Sequence, residues 1–81
     1  MRDGQLFEHD VEGAPVTIGA QVVVRALVDD ETFDPRFAGA RGVVRGLFYD
    51  EPGRFPADPL VLVHVGGVGE DLFFTAELRP G

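Results

Sequence analysis

Glycine and proline punctuate this chain so densely that no ten-residue window keeps a helical spacing of apolar side chains. Eleven glycines and six prolines are spread over 81 residues. The stretches between them are short and rich in β-branched residues, as in QVVVRAL (residues 21–27) and PLVLVHV (residues 59–65). Runs of this length and composition, bounded by turn formers, make strands. An all-β fold is therefore expected, in a single domain over residues 1–81, with residues 1–10 as an irregular tail. A hydrophobic content of 44 % with seven Phe fits a folded globule. With no cysteine in the chain, neither disulfides nor thiolate metal sites hold it together.

The order of elements follows from the punctuation. Residues 11–19, VEGAPVTIG, hold a short strand or a turn, and residues 21–27 the first clear strand. Residues 28–39 form a long loop carrying four acids. RGVVRGLFYD, residues 41–50, is a second strand in which Gly46 marks a bend or bulge. Three prolines exclude residues 51–59 from a sheet interior, so that segment is a loop. Residues 59–65 follow as a strand, GGVG as a tight hairpin, and EDLFF as another strand. TAEL then makes a 3-10 turn before the tail Arg79, Pro80 and Gly81. Short strands, two long loops, a tight hairpin and a terminal turn describe a small five-stranded SH3-like barrel, a closure that also removes exposed sheet edges.

Successive side chains of a strand point to opposite faces. On this basis Leu72 and Phe74 are expected to face the core, while Phe73 stands outward beside Asp71. In residues 41–50 the faces are Val44, Gly46, Phe48 and Asp50 on one side, and Val43, Arg45, Leu47 and Tyr49 on the other. The Arg45 side is the wetter one, and a bulge at Gly46 reverses the parity beyond it.

Charge narrows the function. Fourteen acids oppose seven basic residues, all Arg, for a net charge of −7. A phosphate backbone is repelled by such a surface, so direct nucleic-acid binding is disfavoured and a basic partner is favoured, unless the acidity serves solubility alone. The N-terminus lacks a signal-type apolar segment, and no apolar run is long enough for a membrane helix, so a cytoplasmic monomer without membrane contact is expected. No catalytic, metal or cofactor site is expected. The two histidines, His9 and His64, have no Cys to complete a ligand set, and no phosphate-binding glycine loop precedes a helix. The stretch ALVDD at residues 26–30 echoes the ALYDY stretch of peptide-binding SH3 domains, but the tyrosines and Trp of an aromatic polyproline groove are missing.

The acids cluster in a way that a barrel would gather at one edge: Asp29, Asp30, Glu31 and Asp34 in the first loop, Asp50 and Glu51 after the second strand, Asp58 at the end of the next loop, Glu70 and Asp71 opening the fourth strand. GLFYDEP, FPADPLVLVHV and GEDLFFTAEL, with HDVEGAPVTIGAQV and RFAGARGVV upstream, resemble the myxobacterial CarS antirepressor family over roughly residues 9–78. The resemblance implies an SH3-like protein that binds the winged-helix DNA-binding domain of a MerR-type repressor of light-regulated carotenoid genes, blocking operator binding as a mimic of DNA. Asp50, Glu51, Asp58, Glu70 and Asp71 are then the charge-pairing set. Phe73, with Phe48 or Tyr49, is the apolar anchor, although Phe73 can instead cover a small cluster beneath the N-terminal segment. The rival reading is a Tudor- or SH3-like module docking on another transcription component such as RNA polymerase.

Overall fold

The computed structural model describes residues 4–25 and 34–81. It contains six antiparallel strands among the described residues: β1 (Gln5–Phe7), β2 (Gln21–Val24), β3 (Arg41–Tyr49), β4 (Leu60–Val65), β5 (Gly69–Phe74) and β6 (Leu78–Pro80). Three 3-10 turns, Pro35–Phe37, Pro52–Arg54 and Thr75–Glu77, are the only helical elements among those residues. The all-β expectation holds, as does the turn at TAEL, but there are six strands and not five. β6 forms from the supposed tail at Arg79 and Pro80, and β1 lies within the segment taken as irregular. Both are three residues long and exist only through pairing with distant strands, a signal no local pattern carries. Ala26 and Leu27 of the first expected strand, the ALVDD echo and the acids Asp29, Asp30 and Glu31 lie outside the described residues.

The sheet runs β5-β4-β3-β2-β6, with β1 beside β3. The nine-residue β3 is its centre. Its first half pairs with β2, its second half with β1, and nearly its full length with β4. The register to β4 slips between Val44 and Gly46. An extra residue there bends the strand and resets its alternation. Val44 is accordingly inward, Arg45 is exposed, and Leu47 and Tyr49 are inward again, leaving Phe48 on the outer side with Arg45. A Cβ on Gly46 would come within 2.8 Å of Leu6 Cδ1 and 3.3 Å of the Phe7 carbonyl oxygen, so a larger residue at the slip would have to displace the Leu6 side chain.

The core is Val22, Val24, Val44, Leu47, Val61, Val63 and Val65, closed by Phe37, Tyr49 and Phe73. Here the expectation for the fourth strand is corrected. Phe73 is 3 % exposed, while Phe74 is 53 % and Leu72 is 39 % exposed. The physical reason is register. The hairpin turn is closed by the Val68 amide on the Val65 carbonyl at 3.0 Å, and Gly67 within it takes φ of 82°. This sets Val65 opposite Gly69 and hence Val61 opposite Phe73. Residues directly opposite share a face, so the inward valines of β4 draw Phe73 inward. Its ring packs edge-to-face on Phe37 with centroids 5.2 Å apart. Phe73 therefore closes the core and cannot serve as an exposed anchor.

Phe73→Ala should destabilise the fold by about 3–5 kcal/mol, the usual cost of emptying a buried Phe site, whereas Phe74→Ala should cost less than about 1 kcal/mol. Urea unfolding of the two variants followed by circular dichroism checks this; equal costs would contradict the inward placement.

Candidate functional site

Two surfaces carry the exposed aromatic and acidic side chains. The first is a groove of about 600 Å³ between β1, the end of β3 and the turn at Pro52–Arg54. Phe7, Tyr49 and Phe55 form its apolar wall, with ring centroids 5.7 Å apart for Phe7 and Tyr49, 4.8 Å for Tyr49 and Phe55, and 5.8 Å for Phe7 and Phe55. Asp50 and Glu51 line the same groove. The Tyr49 hydroxyl donates to the Pro56 carbonyl at 2.7 Å, fixing the following loop against the strand, and burial pushes the phenol above its ordinary value. Phe55 is 49 % exposed, so it offers open ring surface beside the two carboxylates.

Arg54 organises the acids of this loop. Its guanidinium lies 3.5 Å from Glu51 and 3.4 Å from Asp58. All three side chains are substantially exposed, and pairs of this kind contribute little to stability. An incoming arginine can therefore take over either carboxylate at small cost.

The second surface is the outer face of the sheet. The register aligns Leu6, Phe48, Leu60 and Phe74 in one row and Leu62 with Leu72 in the next. Gly4 rests on the Phe48 ring so closely that a Cβ there would overlap it. Phe48 is thereby half-buried beneath the N-terminal segment. At the far end, Glu70 Oε2 lies 3.4 Å from His64 Nδ1 and 4.0 Å from Arg45 Nε.

The residues singled out from the sequence thus separate. Asp50, Glu51 and Asp58 gather around the aromatic groove. Glu70 and Phe48 share the outer sheet face. Asp71 has the opposite parity, and its Oδ1 accepts the Leu72 amide at 2.8 Å. Phe73 is in the core. Sequence reasoning missed Phe7 and Phe55 as groove walls, although a Phe beside Pro in a three-proline loop is a sign of an exposed ring. It also missed Glu77, which is 4 % exposed and accepts the Phe74 amide through Oε1 at 2.9 Å. Among the described residues, no three of His, Asp and Glu come together as a metal site, and no helix is long and apolar enough to cross a membrane.

A short antiparallel barrel with 3-10 turns and an aromatic groove flanked by loop acids is an SH3-type domain. The chain belongs to the CarS bacterial SH3 domain family, whose model matches residues 2–81. It is 54 % identical over 72 residues to the "Antirepressor protein CarS" of Myxococcus xanthus, a match covering 88 % of this chain and 65 % of that protein. The chain thus spans somewhat less than two thirds of the length of that curated relative. No solved structure matches significantly.

Because the folded state disfavours ionisation of Tyr49, its stabilising share is complete below about pH 10 and is lost as pH climbs through the raised value. Tyr49→Phe should cost about 1–2 kcal/mol at neutral pH by leaving the Pro56 carbonyl without its donor. It should also flatten the alkaline loss of stability. Denaturant midpoints of both proteins from neutral to alkaline pH check this, and parallel curves would contradict it.

Proposed function

We propose that this protein is an antirepressor that binds the basic winged-helix DNA-binding domain of a MerR-type transcriptional repressor and excludes operator DNA. The observation that carries the reading is the juxtaposition of Asp50 and Glu51 with the open aromatic groove, in a chain whose net charge is −7. The identity to an antirepressor over most of the chain supports it.

The mechanism follows from charge and shape. A DNA-recognition helix presents Arg and Lys that ordinarily bond phosphates and base edges. Carboxylates satisfy the same donors, with charge-assisted hydrogen bonds. Asp50 and Glu51 meet these cations at the groove, Asp58 through its exchange with Arg54, and Glu70 from the sheet face. An apolar side chain of the repressor enters between Phe7, Tyr49 and Phe55, supplying the specificity that charge alone lacks. One basic surface cannot hold both DNA and this protein, so capture and operator release are a single equilibrium. Derepression of carotenoid or other light-response genes, in the cytoplasm and without direct contact to nucleic acid, is the biological consequence.

A gel-shift titration tests this: operator DNA with a MerR-type repressor's DNA-binding domain, adding this protein at several salt concentrations. Free DNA should appear together with a repressor complex that lacks DNA, less efficiently as salt rises. Operator that stays bound at large excess would refute the reading and leave docking on another component such as RNA polymerase as the alternative, whereas a ternary complex with DNA would refute the exclusion of operator. Reversing Asp50 or Glu51 to Lys should weaken capture by about 1–3 kcal/mol each with little effect on folding. Phe55→Ala should weaken it by about 2 kcal/mol if the ring is an anchor.

A further inference from the structure

Backbone hydrogen bonds already hold the loop between β3 and β4. The Arg54 amide donates to the Glu51 carbonyl at 3.0 Å, the Phe55 amide to the Pro52 carbonyl at 3.2 Å, and the Asp58 amide to the Arg54 carbonyl at 2.8 Å. The Tyr49 hydroxyl ties Pro56 to the strand. The Arg54 side chain nonetheless spans two carboxylates, with Nε 3.5 Å from Glu51 Oε1 and Nη1 3.4 Å from Asp58 Oδ2. All three side chains are at least 42 % exposed, so water screens these pairs and the fold gains little from them. Their effect falls on the groove instead. Asp50 and Glu51 both line it, yet Glu51 carries a resident cation, whereas Asp50 has no ion-pair partner among the described residues.

We infer that Arg54 is an internal competitor at the binding groove: its guanidinium occupies Glu51 and Asp58 in the free protein, must be displaced when a partner's cations arrive, and so lowers the affinity of capture. The inference rests on the reading of these acids as the groups that meet a repressor's Arg and Lys. Arg54 offers them the same kind of donor that such a partner presents. Being tethered four residues or fewer from both acids, it meets them at a high effective concentration. A cation from outside has to exchange with it, whereas at Asp50 it has only water to replace. This cost falls on every basic surface alike. Only a partner that also fills the space between Phe7, Tyr49 and Phe55 has binding energy left over, so the competitor suppresses capture by charge alone.

Isothermal titration calorimetry of the full chain with a MerR-type repressor's DNA-binding domain tests the inference. Arg54→Gln should bind about three- to tenfold more tightly than the unaltered protein, the range expected when two exposed ion pairs no longer have to be given up. Arg79→Gln makes the same change in net charge at an exposed position of β6, outside the groove, and should bind as the unaltered protein does. With Glu51→Gln and Asp58→Asn already in place, adding Arg54→Gln should change nothing, because the competitor then has nothing to occupy. Arg54→Gln binding no more tightly than the unaltered protein overturns the inference alone, since the bridge would then position the acids and not block them. An equal gain from Arg79→Gln overturns it as well, because total charge would be the cause. If no variant and not even the unaltered protein binds the domain, the functional reading falls and the inference with it. Nitrogen-15 spectra of the arginine side chains give a second measurement on the unaltered protein. The Arg54 Nε resonance should move as the domain saturates the protein, and one that stays in place would show that Arg54 keeps its acids in the complex, which also overturns the inference.

Discussion

β3 has to serve three neighbours and two halves of one core, and it does so because its alternation is broken once, between Val44 and Gly46. A regular nine-residue strand would hold one face inward throughout. It would then place Phe48, and not Leu47 and Tyr49, against the valines of β4. The bulge lets Val44 serve the end of the core shared with β2, and Leu47 and Tyr49 the end shared with β1. Everything described for the groove descends from this. Tyr49 turns inward, its hydroxyl reaches Pro56, and the loop bearing Glu51, Phe55 and Asp58 is held against the strand.

The positions of the main strands were legible because β-branched runs between glycines and prolines have few other uses. Which way the side chains face was less so, since parity is fixed by register and register by turns. For β3, the possibility of a reversal at Gly46 could be read from the glycine itself. For β5, the information was present but spread over two segments. His64 marks the wet face of β4, Val61, Val63 and Val65 mark the dry one, and a turn of Gly66, Gly67 and Val68 carries that parity across to Phe73. Taken alone, LFF is equally consistent with either face. β1, β6 and the buried carboxylate of Glu77 could not be read locally at all, because each depends on a partner remote in sequence or on the path of the backbone.

The candidate site shows the same division. That the acids after β3 and before β4 would act together was visible in their spacing around one loop. That Arg54 sits between Glu51 and Asp58 was not, because a four-residue separation has meaning only once the 3-10 turn at Pro52–Arg54 sets the geometry. Acids that look alike in a sequence thus take different tasks: Asp34 caps a turn and pairs with Arg36, Asp71 holds a neighbouring amide, and Asp50 and Glu51 face the groove. Net charge describes the partner class; only placement distinguishes the carboxylates available to it.

The pairing of both chain ends with interior strands has a bearing on how the molecule assembles. β3–β4 and β4–β5 join segments close in sequence, whereas β1 meets β3 with Gln5 opposite Tyr49, and β6 meets β2 with Pro80 opposite Val22. Closing the longer loops costs more chain entropy before any contact repays it, which orders the central meander first and the two ends last. Phe7 and Gln5 of β1 form one wall of the groove. The groove proposed to bind the partner is consequently a late product of folding: the core sheet forms before the N-terminal strand completes the groove, so on that proposal competence to engage a partner coincides with the docking of β1.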